Sequence, residues 1–305
     1  MNIDHLKLFV RVAYTKNISA AGREMHLSPA VSSAYISKLE ADVGVRLIHR
    51  TTRQVGLTDD GKQFLPHAES ILNTVETAQA SVGNGKQIPK GTLRITAPAS
   101  FGRMHIIPAI KQFLDDYPQI KIDFRFSDSI LDVVEGGYDI AIRDAALKDS
   151  SLHARKIAPD HRILVAAPSY IERHGEPDTI EALEQHQAVA LSGLRTWEFE
   201  TDKGVASIRP KVNLSVDNGE AVRDACIHGN GITIMSTWCC YEALMKGQLV
   251  QVLPSARLFP TCDLWAVYPS QRLLAPKVRV FIDFLASHFG QTPYWDEALA
   301  KHTSN

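Results

Sequence analysis

Residues 27–40 read LSPAVSSAYISKLE and carry Ser28, Ser32, Ser33, Tyr35 and Lys38 within one short stretch, with Pro29 near its start. Hydroxyls donate to phosphates and base edges, and small side chains let a backbone approach a surface closely. A helix of this composition suits a DNA major groove about 12 Å wide, with Lys38 on the phosphates. The plain alternative is a solvated helix face. A second group follows at once: Arg50, Thr51, Thr52 and Arg53 form a basic, hydroxyl-bearing turn. Such a turn can track a phosphate backbone or enter a minor groove, where negative potential favours arginine. Its plain alternative is a solubilising loop.

The rest of the chain lacks the patterns that carry catalysis. There is no G-x-S-x-G, no P-loop and no H-E-x-x-H. The histidines are scattered singly. Cys226, Cys239, Cys240 and Cys262 form no C-x-x-C pair and no zinc spacing, so they read as buried, reduced thiols, with a redox switch as the alternative. Neither a metal nor a cofactor is expected, and an enzyme is not.

The composition is that of an ordinary globular protein, 45% hydrophobic and 22% charged over 305 residues. That length predicts two or three units. No apolar run reaches about 18 residues, and MNIDHLKLFVRV lacks the basic start and cleavage site of a signal peptide, so a cytoplasmic protein without a membrane span is expected. Charge is unevenly spread. Residues 1–65 hold nine Lys/Arg against six Asp/Glu, a net +3, and leave 24 against 28, or −4, for the remainder. A modestly basic head on an acidic body is compatible with nucleic-acid binding by the head.

The elements that must position these residues follow from periodicity and punctuation. Ile3, Leu6, Phe9, Val10 and Ala13 mark a first amphipathic helix. Ser19 caps a second, near 19–26, packed through Ala20, Ala21 and Met25. Ser28-Pro29 opens a third, and Gly44 closes it. A packing helix followed by two helices on a tight turn is a helix-turn-helix pattern, and 46–57 read as a two-stranded wing. Thr58 then caps a long helix. Its apolar positions Phe64, Ala68, Ile71, Val75, Ala78 and Val82 are spaced 4,3,4,3,4, a heptad seam that predicts pairing with a second copy. The alternative is a helix packed on its own body. Pro66 should bend its first turns or delay the regular helix. Residues 83–91, GNGKQIPKG, make a linker.

From Thr92 the pattern becomes βαβαβ: LRITA, a helix with Ile106, Ile107, Ile110, Phe113 and Leu114 on its core face, IKIDFRF, a short helix at SILDVVEGG, and YDIAIR. This predicts a parallel sheet with right-handed crossovers. A second α/β region spans about 162–260. The strand LWAVY and the helix APKVRVFIDFLASHF then return to the first.

Ligands of such sheets lie beyond the strand ends, where helix N-termini hold anions. The candidates there are Ala99, Ser100 and Phe101, then Ser127 and Asp128, then Arg143, then Ser192 and Trp197, then Asn218. Ser100 and Asn218 could equally be helix caps, Asp128 and Arg143 a mutual pair, and Trp197 a core residue. A small organic ligand is expected, an anion among the candidates.

Residues 18–61, ISAAGREMHLSPAVSSAYISKLEADVGVRLIHRTTRQVGLTDDG, resemble the DNA-binding domain of the LysR-type transcriptional regulators. GTLRITAP, DIAIR, GNGITIM and KGQLVQVLP resemble the family more loosely. The resemblance implies an α/β protein with an N-terminal winged helix-turn-helix (1–60), a dimerisation helix (58–85), a hinge (86–91) and an effector domain (92–305). The last would be periplasmic-binding-protein-like, with one subdomain at about 92–161 and 264–290 and another at about 162–263. The implied function is sequence-specific regulation at double-stranded promoter DNA, controlled by an effector between the subdomains. A homo-oligomer, dimer or tetramer, and RNA polymerase are the implied protein partners. The family commonly has an apolar residue where Ser32 stands, and Arg or Gln near Ala34, so its base preference does not transfer. A solute-binding protein would leave the head unexplained. An architectural DNA protein would leave the bilobed body unexplained.

Overall fold

The computed structural model describes residues 1–50, 55–81, 88–128, 138–145, 153–268 and 275–303. The chain divides into two compact units, one built on Met1–Ile88 and one on Pro89–Leu131, Asp139–Ser270 and Lys277–Asn305.

The first unit opens with helix α1 (Ile3–Thr15), α2 (Ile18–Glu24) and α3 (Pro29–Val43). Asn2 and Asn17 cap the first two, Asn17 accepting from the Ala20 amide at 2.9 Å. Asn17, not Ser19, is therefore the cap of α2, and the helix starts one residue earlier. The buried face of α1 is His5, Leu6, Leu8, Phe9 and Val12, while Ile3 is exposed, so the apolar stripe is rotated from the expected one. Ser28 caps α3, and Gly44 ends it with φ +83°, a conformation that costs glycine little. Strands β1 (Ile48–Arg50) and β2 (Val55–Leu57) pair antiparallel. Glu40, near the end of α3, accepts from the Leu47 and Ile48 amides at 2.9 and 3.1 Å, which ties this ribbon to the helix.

Helix α4 (Asp59–Ser81) begins at Thr58, whose hydroxyl accepts from the Gly61 amide and donates to the Arg46 carbonyl. It runs through Pro66 instead of starting after it, at the cost of the one intrahelical bond Pro66 cannot donate. The first half of its seam is spent on its own unit. Ala68 is fully buried in the core formed by Leu6, Phe9, Ile36, Leu39 and Leu47, and Phe64 and Ile71 pack on that core. Val82 and residues 83–87, with the expected end of the helix, lie outside the described residues.

In the second unit the elements are β3 (Gly91–Ala97), α5 (Ala99–Phe101) leading through a π-helical turn (Gly102–Ile106) into α6 (Ile107–Asp116), β4 (Ile120–Phe126), β5 (Ile140–Ala145) and β6 (His153–Asp160). They continue as β7 (Arg162–Ala166), α7 (Pro168–His174), β8 (Gln187–Leu191), β9 (Trp197–Thr201), β10 (Gly204–Ile208), β11 (Lys211–Val216), α8 (Gly219–Ile227), β12 (Thr233–Ser236) and α9 (Thr237–Met245). Last come β13 (Val250–Val252), β14 (Arg257–Phe259), β15 (Cys262–Tyr268), α10 (Pro276–Phe289) and α11 (Tyr294–Thr303). The helix expected at 129–137 lies outside the described residues.

One lobe is a five-stranded sheet of order β4-β3-β5-β15-β6. It is parallel only across β4, β3 and β5; β15 runs antiparallel to both β5 and β6. The three strands of the expected βαβαβ unit are thus parallel, and β15, which returns to this lobe as expected, adds an antiparallel half with β6. The other lobe is assembled from β12-β7-β13, β11-β8 and β10-β9-β14, around a core that includes Tyr170, Leu183, Trp197, Phe199 and Val252. The chain passes between lobes at Asp160–Arg162 and again at Phe259–Cys262.

Two charge clusters, in which Lys277, Asp139 and Asp160 are buried, hold this arrangement. Lys277 of α10 pairs with Asp139 at 3.2 Å and donates to the Thr92 carbonyl at 2.6 Å. Asp139 also accepts from the Arg94 amide at 2.8 Å, so helix and sheet are pinned together. At the crossover, Arg162 bridges Asp160 and Asp144 at 3.0 and 2.8 Å, and Ser236 donates to Asp160. Burial, then the nearby Asp144, raise the Asp160 carboxyl above the usual carboxylate range, against the pull of Arg162.

Removing one partner of a buried pair strands the other, which typically costs about 3–5 kcal/mol. Lys277→Met is therefore expected to lower the urea stability of the second unit by about that amount, and adding Asp139→Leu to recover most of it. A change below about 1 kcal/mol for the single variant would mean the pair is not buried as described.

Candidate nucleic-acid and effector sites

The register of α3 decides which of its side chains face outward. Ile36 and Leu39 are fully buried, and Ser32 lies four residues before Ile36, on the same face. Ser32 is accordingly 0% exposed, and its hydroxyl donates to the Ser28 carbonyl at 2.9 Å. A Cβ placed on Gly22 of α2 would overlap Ser32 Oγ, so the pair Gly22/Ser32 sets how closely α2 and α3 approach. Ser32 is a packing residue, not the expected DNA contact. Tyr35 is half-buried and packs partly on the same core, its ring 4.5 Å from that of His5. Ser33 is half-buried, and Ser28, Pro29 and Lys38 are exposed. The outer surface of α3 is completed by Ala30, Val31, Ala34 and Ser37, none of which was singled out from the sequence. Arg50 ends β1, but its side chain, like Thr51, Thr52 and Arg53, lies outside the described residues.

In the second unit, the ends of β3 and β4 meet the start of α8. Ala99 donates its amide to Asp128 Oδ1 at 2.7 Å, and the Asn218 amide group donates to Asp128 Oδ2 at 3.1 Å. One carboxylate thus joins both lobes. Asn218 also caps α8, accepting from the Ala221 amide at 3.0 Å. Ser100, 2% exposed, accepts from the Glu220 amide at 3.1 Å. Arg103 forms a forked ion pair with Glu220, its Nε 2.8 Å from Oε2. Ala99, Ser100, Asp128 and Asn218 are therefore brought together, with Arg103 and Glu220 added. The signal for those two was available only as opposite charges on helices whose approach the sequence does not reveal.

The other candidates are placed differently. Ser127 is half-buried, and its amide donates to the Ala97 carbonyl at 2.9 Å. Arg143 lies in β5, opposite Trp265, and donates to the Ile142 carbonyl. Ser192 is exposed at the end of β8, 3.4 Å from the Ser215 hydroxyl. Trp197 is 3% exposed within the core of the second lobe, so it is a core residue and not a cleft residue. Phe101 is likewise fully buried, packed on His105, Trp238, Phe289 and Trp295.

His105 sits in that aromatic core. Burial lowers its pKa to about 4, so it is neutral at physiological pH. Its Nε2 lies 3.1 Å from the Trp238 carbonyl and its Nδ1 2.6 Å from the Tyr294 hydroxyl. Nε2–H is then the donor to the carbonyl, and Nδ1 accepts from tyrosine. Burial acts the same way on three of the thiols: it pushes Cys226 and Cys239 up to about 12 and Cys240 well above its usual value, which disfavours their thiolates near neutrality; Cys262 is buried too. Among the described residues no group of three or more His, Cys, Asp and Glu could hold a metal, and no helix is long and apolar enough to cross a membrane.

Residues 3–62 match the model of the bacterial regulatory helix-turn-helix proteins of the lysR family, and residues 86–290 that of the LysR substrate binding domain. The chain belongs to the LysR family. This LysR-type transcriptional regulator is 33% identical over 293 residues to the HTH-type transcriptional regulator DmlR of Escherichia coli, covering 95% of each chain. Its fold is similar to that of the LysR-type regulator CrgA from Neisseria meningitidis, with a TM-score of 0.61 at 28% identity over 95% of this chain and 100% of that one. It is also similar to the full-length Vibrio cholerae virulence activator AphB, with a TM-score of 0.59 at 29% identity over 94% and 99% of the two chains. The substrate binding domain and the helix-turn-helix of the family are thus the second and first units described above.

Two measurements test these placements. Gly22→Ala should cost about 1–3 kcal/mol and weaken DNA binding, Gly22→Ala with Ser32→Ala should recover part of both, and Ser32→Ala alone should leave operator affinity within about twofold. A large loss of affinity for Ser32→Ala in a folded protein would return that serine to the DNA surface. For His105, the folded pKa lies below the unfolded one, so stability is present above about pH 6.5 and is lost as pH falls toward 4, by up to about 3 kcal/mol. Urea titrations at pH 7, 5.5 and 4.5 should show a shallower decline in His105→Gln than in the parent. Equal slopes would remove His105 as the cause.

Proposed function

We propose that α3 enters the major groove of promoter DNA through Ala30, Val31, Ala34 and Ser37, with Ser28 and Pro29 at its leading end and Lys38 on the phosphates. The support is their exposure on the side of α3 opposite Ile36 and Leu39. Ser33 lies at the margin of this surface. Arg50, Thr51, Thr52 and Arg53 complete it as a wing that tracks the backbone. The division of labour is a winged helix-turn-helix over 1–60, a helix over 58–85, a hinge at 86–91 and a regulatory body over 92–305.

The regulatory body takes a small organic effector between its lobes, at Ala99, Ser100, Asp128 and Asn218, with Ser127, Arg143 and Ser192 at nearby strand ends. The observation that carries this reading is that Ser100 and Asp128 of one lobe already bond directly to Glu220 and Asn218 of the other. A ligand entering here must replace those bonds, so its binding is coupled to lobe position. An anionic effector would take the place of the Asp128 carboxylate on the Ala99 amide. Helix α4 pairs with a second copy through its C-terminal half, since Phe64, Ala68 and Ile71 are occupied by its own unit, and the assembly is a dimer or tetramer. RNA polymerase is the further partner, the cytoplasm the place of action, and the role is regulatory and not enzymatic.

A thermal-shift screen of metabolites on the full-length regulator tests the effector reading. A compound that raises the Tm of the parent should fail to do so in Ser100→Trp, while that variant keeps DNA affinity within about twofold. An unchanged Tm response would exclude Ser100 from the site. In parallel, Lys38→Ala should weaken binding to all sequences alike and reduce the salt slope by about 0.9. A loss confined to one operator would make Lys38 a base contact.

A further inference from the structure

Helix α11 (Tyr294–Thr303) lies beyond residue 290, where the match to the LysR substrate binding domain ends. It nevertheless touches three parts of the second unit that belong to different bodies. Tyr294 bonds to His105 in the π-helical turn of the first lobe. Trp295 is fully buried, its ring 4.6 Å from His105, 5.4 Å from Phe289 and 6.2 Å from Phe101. Asp296 accepts from the Thr237 hydroxyl, at the start of α9 in the second lobe, at 2.7 Å. The other oxygen of Asp296 is 3.0 Å from His161, which sits between β6 and β7 where the chain crosses between lobes. The Thr237 amide in turn donates to the His161 carbonyl at 2.7 Å.

These contacts lead directly to the cleft. Phe101, against which Trp295 and Trp238 pack, follows Ser100 in the chain, and Ser100 accepts the cross-lobe bond from Glu220. Trp238 belongs to α9, so the aromatic core spans both lobes with the Trp295 ring wedged into it. The packing is not fully satisfied: the indole nitrogens of Trp238 and Trp295 are buried without a hydrogen-bond acceptor.

We propose that α11 is a strap that holds the two lobes in their closed arrangement, and that releasing it opens the cleft at Ser100. The proposal rests on the reading of that cleft as the effector site, but its test needs no effector. Hydrogen exchange on the full-length chain reports lobe opening through peptides covering 98–104 and 218–224. Combining Tyr294→Phe with Asp296→Ala should speed exchange in both peptides by about tenfold or more, and leave peptides from β8, β11 and α3 unchanged. Asp296→Asn, a milder change in case the double variant fails to fold, should speed the same peptides about threefold. Unchanged exchange in both peptides would overturn the proposal. So would acceleration throughout the second unit, because α11 would then be an ordinary part of its core. If the exchange result holds and no metabolite is ever bound, the effector reading fails and the strap remains.

Discussion

The second unit depends on a small set of polar contacts made directly between its lobes. Asp128 accepts from Ala99 in one lobe and from Asn218 in the other, Ser100 accepts from Glu220, and Arg103 forks onto the same glutamate. Each is modest alone, since a hydrogen bond contributes roughly 1 kcal/mol net and exposed ion pairs less. Together with the aromatic contacts of Phe101 and His105 on Trp238, which also cross between the lobes, they fix one lobe position. Polar contacts can be exchanged for those of a ligand with similar groups, so the closed state is a state that binding can move. That is the physical basis on which a substrate binding domain can regulate.

Around this adjustable seam the fold is held rigidly. Lys277 and Asp139 are both buried and tie α10 to β3, and Arg162 between Asp144 and Asp160 fixes the crossover. These charges are buried only because each is answered, and they remove freedom where movement would misalign the sheets. The first unit follows a different rule. Its core is apolar, and its exposed α3 surface carries methyl groups and short hydroxyls, so shape and backbone approach matter more there than charge.

Much of this was legible in the sequence. Ser28-Pro29 and Gly44 bounded α3, the strict alternation of IKIDFRF gave β4, and the strand-end rule led to Ala99, Ser100, Asp128 and Asn218. The misplaced residues share a cause. The hydroxyl of Ser32 suits an outward position, but its spacing from Ile36 and Leu39 puts it on the buried face, where the family commonly has an apolar residue. Phe101 and Trp197 were assigned by position beyond a strand, although their apolar bulk outweighed position. The α4 seam was a correct periodicity with the wrong partner for its first half, because period alone does not say which surface a stripe covers. Arg103, Glu220 and α11 depended on approaches between distant segments, which no local pattern encodes.

The central claim, that direct polar contacts between the lobes set their relative position, is open to a distance measurement. Spin labels can be placed at the exposed Lys121 and Lys203 after substitution to cysteine, because the four native thiols are buried. Electron–electron double resonance on the ligand-free full-length protein, diluted with unlabelled chain so that each assembly carries one labelled protomer, should give one narrow distance distribution. Ser100→Ala with Asp128→Ala should broaden it or move it as the lobes part. A broad distribution in the parent, or an unchanged narrow one in the double variant, would contradict the account.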